Sequence, residues 1–150
     1  LATFSSCADC SDEEWERAIA VNQTGVFYGM RAVIPALRRA GGGSIINVSS
    51  VFGINGAKDC LAYVAAKHAV VGMTKRIRVN AIAPGLVMTP MLEAEIAAGL
   101  QDTDATIARQ AIRRMGWPAD VSPAVLYLAS DETSFVTGTV MLIDAGSKAR

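Results

Sequence analysis

The sequence has 150 residues, of which 14 are basic and 14 acidic, so its formal net charge is zero. Hydrophobic residues make up 51% and charged residues 19% of the chain. This composition predicts a globular domain and argues against a disordered chain, which needs low hydrophobicity and high charge. It also argues against a nucleic-acid-binding protein, because no excess of basic residues is present to neutralise phosphates.

Neither membrane insertion nor a disulfide framework is indicated. The longest uncharged stretch, residues 40–57, contains five glycines, three serines and two asparagines, which is atypical of a membrane-spanning helix. The three cysteines, Cys7, Cys10 and Cys60, predict a reduced, cytoplasmic protein. Cys7 and Cys10 form a CxxC motif, but Cys60 and the single histidine, His68, are poor candidates for completing a zinc site. We therefore expect no metal.

The first predicted element is a long helix. Ser11 and Glu14 have the spacing of a capping box, which marks a helix start. Apolar residues then recur at helical three- and four-residue steps: Trp15, Ile19, Val26, Met30, Val33 and Leu37. Asn22 falls on the same face, and glycines at 41–43 end the helix. The β-branched run at 44–49 then predicts a buried strand.

The rest of the chain alternates between helix and strand. The predicted elements are a helix over 59–75, a strand over 78–82, helices near 90–98, 103–113 and 119–130, and a strand over 140–143. This alternation is typical of a parallel α/β sheet. At Lys75 and Arg76 a helix runs into a strand with almost no turn, although such connections normally take about 2–6 residues. We hypothesise that residues are missing at this junction.

One pair of residues suggests a catalytic function. Tyr63 and Lys67 are four residues apart, on one face of the 59–75 helix. A nearby ammonium group favours the phenolate, so we expect a lowered Tyr63 pKa and a general acid and base near neutral pH. Ser50 lies just past a strand end, where open α/β sheets bind ligands. The side-chain amide of Asn22 can form hydrogen bonds that would hold a water molecule or a carbonyl group in a fixed position.

In this order, these residues resemble the short-chain dehydrogenase/reductase family almost from end to end. The residues that carry the resemblance are 21–27, 43–50, 63–67, 77–85 with Thr89, 128–131 and 135–138. The resemblance implies a Rossmann-type α/β fold, a doubly wound parallel sheet. It also implies hydride transfer between a nicotinamide cofactor, NAD or NADP, and an alcohol or ketone.

The family assigns a role to each candidate residue. Tyr63 would be the catalytic acid and base, and Lys67 would lower its pKa and hold the nicotinamide ribose with it. Ser50 would orient the substrate oxygen, and Asn22 would bind a water that links Lys67 to a proton relay. The residues that match the segment along the nicotinamide are Pro84, Gly85, Val87 and Thr89, with Thr89 near the carboxamide.

The resemblance also concerns the substrate and the assembly. Residues 91–115 match a mobile lid, and its apolar side chains favour a small, fairly apolar substrate. Many family members are tetramers packed through two long helices, which are here those of Trp15 and Tyr63. We therefore expect a homo-oligomer, a tetramer or a dimer, with no nucleic-acid or membrane partner.

The sequence also departs from the family. The family's N-terminal half, with its glycine-rich phosphate turn and the residue that selects NAD or NADP, has no counterpart here. We therefore interpret residues 1–150 as the C-terminal catalytic portion of a single Rossmann-type domain, either a fragment or part of a longer protein. Ala145 stands where the family often has a second glycine.

Other functions remain open. One is reduction of 3-oxoacyl groups linked to a carrier protein or CoA, which Arg109, Arg113 and Arg114 near the lid would favour. Another is a non-catalytic oligomerisation module, if the chain is a true fragment. A serine hydrolase is disfavoured because Ser50 has no evident histidine partner: His68 points about 100° away from Lys67 around the helix.

Overall fold

The computed structural model describes residues 1–73 and 78–149. The helices are α1 (Asp12–Ile19), α2 (Gly25–Arg39), α3 (Leu61–Gly72), α4 (Pro90–Ala97), α5 (Thr103–Ala108) and α6 (Pro118–Ala129). The strands are β1 (Ser44–Val48), β2 (Arg78–Pro84) and β3 (Val140–Ile143). The junction at Lys75 and Arg76, where we hypothesised missing residues, lies outside the described residues.

The long helix predicted after Ser11 forms, with a local change of winding. Helices α1 and α2 are joined without a break by a π-turn, Ala20–Thr24. Ser11 caps α1, since its Oγ accepts a hydrogen bond from the Glu14 amide at 3.2 Å. The prediction of a capping box is wrong for Glu14, because its carboxylate accepts a hydrogen bond from the Ser5 hydroxyl at 2.6 Å.

The three described strands form one parallel sheet in the order β1-β2-β3. Strand β2 is in the middle and is buried from Val79 to Ala83, as expected for a parallel strand with neighbours on both sides. The prediction of a buried β1 holds only at Asn47, and Val48 is 54% exposed. Among the described strands β1 has a single neighbour, which explains its partial burial.

Two helices build most of the packing around the sheet. Helix α6 packs across all three strands, and α3 packs against α1 and the π-turn. The buried apolar residues include Ala18 of α1, Ala66 and Val70 of α3, Ile82 of β2 and Leu128 of α6. None of the helices within residues 1–73 and 78–149 is long and apolar enough to cross a membrane.

Helix α5 is shorter than the predicted 103–113, because it ends at Ala108. The amides of Ala111 and Ile112 donate instead to the carbonyl oxygen of Ala145, at 2.9 and 3.0 Å. These bonds turn the chain away from the helix axis and join it to the turn that follows β3. All three strands end at this edge of the sheet, which is where a parallel α/β fold binds its ligands.

Candidate functional site

A cleft of about 800 Å³ opens at the carboxyl ends of the strands. Five of the predicted site residues line it: Ser50, Tyr63, Gly85, Val87 and Thr89. The other three, Asn22, Lys67 and Pro84, are not part of its lining in the described chain. The structure therefore gathers most of the candidates around one space.

Tyr63 and Lys67 share one face of α3, as predicted. The Lys67 Nζ atom lies 5.5 Å from the centroid of the Tyr63 ring. Phe52 meets the same ring edge-to-face, with the two centroids 6.5 Å apart and the planes at 88°. These contacts hold the phenol between an aromatic ring and a cation.

Lys67 is also attached to the end of β1 at two points. Its Nζ donates to the Val48 carbonyl oxygen at 3.1 Å, and its backbone carbonyl accepts from the Ser49 hydroxyl at 2.9 Å. Gly53 allows this approach, because a Cβ atom there would lie 2.6 Å from the Lys67 carbonyl oxygen and would also overlap the Ser49 hydroxyl. The contacts fix α3 relative to the strand end that carries Ser50.

Ser50 begins the short 3₁₀-helix Val51–Gly53. Its Oγ accepts a hydrogen bond from the Phe52 amide at 3.2 Å, which leaves the hydroxyl proton to be donated elsewhere. The Ser50 and Tyr63 side chains line the same cleft, close enough for Ser50 to lower the pKa of Tyr63. The two predicted catalytic hydroxyls are therefore direct neighbours.

The expectation of a lowered Tyr63 pKa is wrong for this structure. Burial raises the pKa of the phenol above its ordinary value, the nearby Ser50 side chain works in the opposite direction, and the negative charge of Glu95 raises the pKa further. Burial also lowers the pKa of Lys67. Desolvation of the phenol, and not the charge of Lys67, decides the direction of the Tyr63 pKa shift, since burial disfavours the charged form of either group.

Asn22 lies in the π-turn and is buried. Its Nδ2 atom donates to the carbonyl oxygens of Leu1, at 2.8 Å, and Ala18, at 3.1 Å. The side-chain amide therefore joins two backbone segments. The water-binding role that the resemblance implies stays a prediction.

The segment after β2 forms one wall of the cleft. Gly85 packs against the turn after β3, because its amide donates to the Ile143 carbonyl oxygen at 3.0 Å and a Cβ atom would lie 2.9 Å from the Asp144 Cα. Val87 forms a parallel bridge with Gly116. Thr89 caps α4, since its hydroxyl accepts from the Leu92 amide at 3.3 Å.

The sequence argument missed two titratable residues in the cleft. Cys60 was considered only as a metal ligand, but it lines the cleft and burial raises its pKa. Glu95 was not considered, yet it lines the cleft and is only 9% exposed. A signal was present, because Glu95 follows the apolar Leu92 by three residues and so shares its helix face.

The CxxC motif, Cys7 and Cys10, and the other candidate metal ligands, Cys60 and His68, lie in different environments. Cys7 is exposed and Cys60 is buried in the cleft. The His68 ring nitrogen Nδ1 lies 2.9 Å from the Val64 carbonyl oxygen, within its own helix. In residues 1–73 and 78–149, no group of three or more histidine, cysteine or acidic side chains could hold a metal ion.

The chain is similar to known proteins in its sequence and in its structure. A family model described as enoyl-(acyl carrier protein) reductase matches residues 2–148. The chain is 40% identical over 158 residues to cyclopentanol dehydrogenase of Comamonas testosteroni, covering 99% of the chain and 63% of the relative. It is 44% identical over 158 residues to 3-alpha-(or 20-beta)-hydroxysteroid dehydrogenase of Mycobacterium tuberculosis strain H37Rv, covering 99% of the chain and 58% of the relative.

A solved structure of 4-hydroxyisoleucine dehydrogenase complexed with NADH superposes with a TM-score of 0.90 at 30% identity. The superposition covers 100% of this chain and 65% of that one. The chain thus spans about three fifths of the length of the relatives it matches. The parallel sheet with its flanking helices therefore matches a Rossmann-like fold.

Proposed function

Because this chain belongs to the short-chain dehydrogenase/reductase family, we propose that the protein containing it transfers a hydride between a nicotinamide cofactor and a small, fairly apolar alcohol or ketone. The observation that carries the proposal is the meeting of Ser50 and Tyr63 in one cleft, with the Lys67 ammonium beside the phenol. A phenol, a hydroxyl and a cation in this arrangement suit proton transfer to or from a substrate oxygen.

Each residue has a separate task in this mechanism. The Ser50 Oγ atom accepts a hydrogen bond from the Phe52 amide, and the Ser50 hydroxyl proton is donated to the substrate oxygen. The Tyr63 Oη atom gives a proton to that oxygen during ketone reduction and takes one during alcohol oxidation. The Lys67 ammonium stabilises the phenolate during oxidation.

The donor set around the cleft fits the nicotinamide half of the cofactor. Lys67 uses one of its three N–H groups on Val48, and two remain for ribose hydroxyls. The Thr89 hydroxyl accepts from Leu92 and keeps its proton for a carboxamide oxygen. When bound, the cofactor supplies the hydride acceptor or donor. NAD and NADP both remain candidates. Gly85 and Val87 line the cleft and would lie along the nicotinamide, with Pro84 directly before them in the chain.

The substrate class is inferred from the walls of the cleft. Apolar side chains from several segments line it: Phe4, Val51, Phe52, Leu86, Met91, Leu92 and Leu100. They come from the lid segment as well as from the rigid strand ends. This lining favours a small ring or short chain over a highly charged molecule.

Reduction of carrier- or CoA-linked 3-ketones is less well supported. Of the three arginines that suggested it, Arg109 lines the cleft, and Arg114 forms two hydrogen bonds with the Asp120 carboxylate at 2.6 and 2.8 Å. This pairing lowers the Asp120 pKa to about 2 and removes one cation from the patch. Turnover of carrier- or CoA-linked ketones but not of free small ketones would favour this alternative.

Assembly into a dimer or tetramer is supported by the surface of the long helix. Helix α2 buries none of its residues, and several large side chains of α1 and α2 are at least 40% exposed: Trp15, Phe27, Tyr28 and Val33. Packing through this face would cover them. The cytoplasmic location, and the assignment of residues 1–150 to one catalytic portion of a Rossmann-type domain, also stay predictions.

Replacement of Tyr63 by phenylalanine tests the function directly. In the full-length protein, Tyr63→Phe removes the acid and base but keeps the ring against Phe52, so kcat should fall by at least about 100-fold, in the range of general acid–base catalysis. Cofactor affinity should change little. The measurement is steady-state oxidation of cyclopentanol or cyclohexanol, with cofactor binding followed by fluorescence. Retained turnover would exclude Tyr63 from the proposed role.

A further inference from the structure

Glu95 has an unusual environment for a carboxylate. It lies on α4, 9% exposed, with its side chain among the residues that line the cleft. Its Oε1 atom is buried and has no hydrogen-bond partner among residues 1–73 and 78–149. Glu93, two residues earlier on the same helix, is exposed.

An unpaired buried acceptor is unfavourable, because folding removes its water without replacing it. Burial accordingly raises the pKa of Glu95, although a hydrogen bond with the Gln101 side chain opposes the change. The neighbouring Leu92, on the same face of α4, is apolar and buried. A bound donor would supply the missing hydrogen bond.

The carboxylate is close enough to Tyr63 for its negative charge to raise the Tyr63 pKa. Both side chains line the same cleft, so one ligand can reach both. The terminal torsion of a glutamate is broad, so we expect a rotation about it to bring a carboxylate oxygen to a ligand in the cleft. A substrate oxygen at Tyr63 and a second polar group at Glu95 are therefore compatible.

The charges of the other residues that line the cleft indicate which kind of hydrogen-bond donor a ligand would offer to Glu95. Lys58, Arg109 and Lys148 also line the cleft, and a cationic ligand would meet Arg109 and Lys148 there, whereas the charge of Lys58 is offset by Asp59. Asp59, the other acidic residue of the lining, is already within 3.7 Å of Lys58. A neutral hydroxyl group avoids this repulsion and still satisfies an acceptor.

We propose that Glu95 is a specificity-determining residue that accepts a hydrogen bond from a second hydroxyl group of the substrate, distinct from the reacting one. The inference rests on the proposed function, because it assumes that the reacting oxygen lies at Tyr63. It narrows the substrate class from apolar alcohols to diols or hydroxyketones with one apolar face.

The test compares two alcohols of the same ring size, cyclohexanol and 1,4-cyclohexanediol, in the full-length protein with NAD and with NADP. We expect kcat/KM to favour the diol by about tenfold, the effect of one hydrogen bond to a charged acceptor. Glu95→Leu should bring the ratio near one, mainly through KM for the diol. Glu93→Leu, on the exposed side of the same helix, should leave the ratio as it is in the unmodified protein.

Each of the other outcomes would contradict either the role of Glu95, the choice of a neutral donor or the proposed function. An unchanged diol preference in Glu95→Leu would overturn the inference and leave the proposed function intact. A stronger preference for 4-aminocyclohexanol than for the diol would overturn the choice of a neutral donor. If neither alcohol were oxidised, the proposed function would fail for them. Calorimetric binding of the two alcohols to the unmodified protein and to Glu95→Leu would then decide the role of Glu95.

Discussion

Lys67 has a structural role and an electrostatic role, and different atoms of the residue perform them. Its backbone carbonyl accepts from Ser49, whereas its Nζ atom reaches Val48 and lies beside the Tyr63 ring. A side-chain substitution removes the second set of contacts and leaves the first. The effect of the ammonium group on Tyr63 can therefore be measured without removing the backbone bond that joins α3 to β1.

We predict that Lys67→Met moves the pH midpoint of alcohol oxidation upward by about one unit. The reason is that the phenol must lose its proton before it can accept one from the substrate, and the nearby cation favours that loss. Burial already raises the Tyr63 pKa, so the unmodified protein should itself oxidise faster at alkaline pH.

The matched variant is Lys67→Arg, which keeps a positive charge at the same position and should keep the midpoint closer to that of the unmodified protein. The measurement is kcat/KM for oxidation across the pH range. Equal midpoints in the methionine and arginine variants would remove Lys67 from the control of the Tyr63 pKa.

At the level of elements, the site depends on how closely the 3₁₀-helix after β1 approaches α3. Gly53 lies against the Lys67 carbonyl group, and Ser49 bonds to the same oxygen. Ser50 lies between these two contact points in the sequence. The distance from Ser50 to Tyr63 is thus set by a backbone contact that admits no side chain.

We expect Gly53→Ala to destabilise the protein by about 1–3 kcal/mol, the usual cost of overpacking, and to lower kcat by displacing Ser50. A Cβ atom at this position would lie 2.6 Å from the Lys67 carbonyl oxygen, so the backbone has to move. Gly56→Ala is the control, because a Cβ there has no atom within 4 Å. Chemical denaturation and steady-state kinetics measure the two effects. Equal stability of the two variants would contradict the packing argument.

Over the whole molecule, the turn after β3 links segments that are far apart in the sequence. The Ala145 carbonyl accepts from Ala111 and Ile112, and Gly85 packs against Asp144. Ala145 has a φ of 56°, in the left-handed region that favours glycine. The family's frequent glycine near this point thus has a conformational reason.

Ala145→Gly should therefore stabilise the protein by about 1 kcal/mol, the relief of left-handed strain less the added freedom of the unfolded chain. Ala36→Gly, on the exposed surface of α2, should have the opposite sign and cost roughly 0.5–1 kcal/mol. Thermal unfolding of both variants measures the difference. A lower melting temperature for Ala145→Gly would show that the backbone angle is not strained.

The sequence predicted most of the architecture because periodicity and strand composition are local signals. It predicted β1, β2, β3 and α6 closely, and it placed Ser50, Tyr63 and Thr89 around one cleft. It was wrong where distant segments decide the outcome. The end of α5 depends on bonds to Ala145, and the Tyr63 pKa depends on burial by residues from many segments. Glu95 shares a helix face with Leu92, which is a local signal, but the packing of α4 decides that this face lines the cleft.

The π-turn at Ala20–Thr24 has a consequence for how this sequence can change length. A π-turn holds one residue more than the corresponding α-helical turn, and each residue rotates a helix by about 100°. Deleting one residue here would restore regular α-helical winding and leave α2 in nearly the orientation it has now, because the extra residue is accommodated within the turn. A single-residue deletion should therefore be tolerated better at these five positions than in the α-helical turns on either side, where it would rotate the following residues by about 100°.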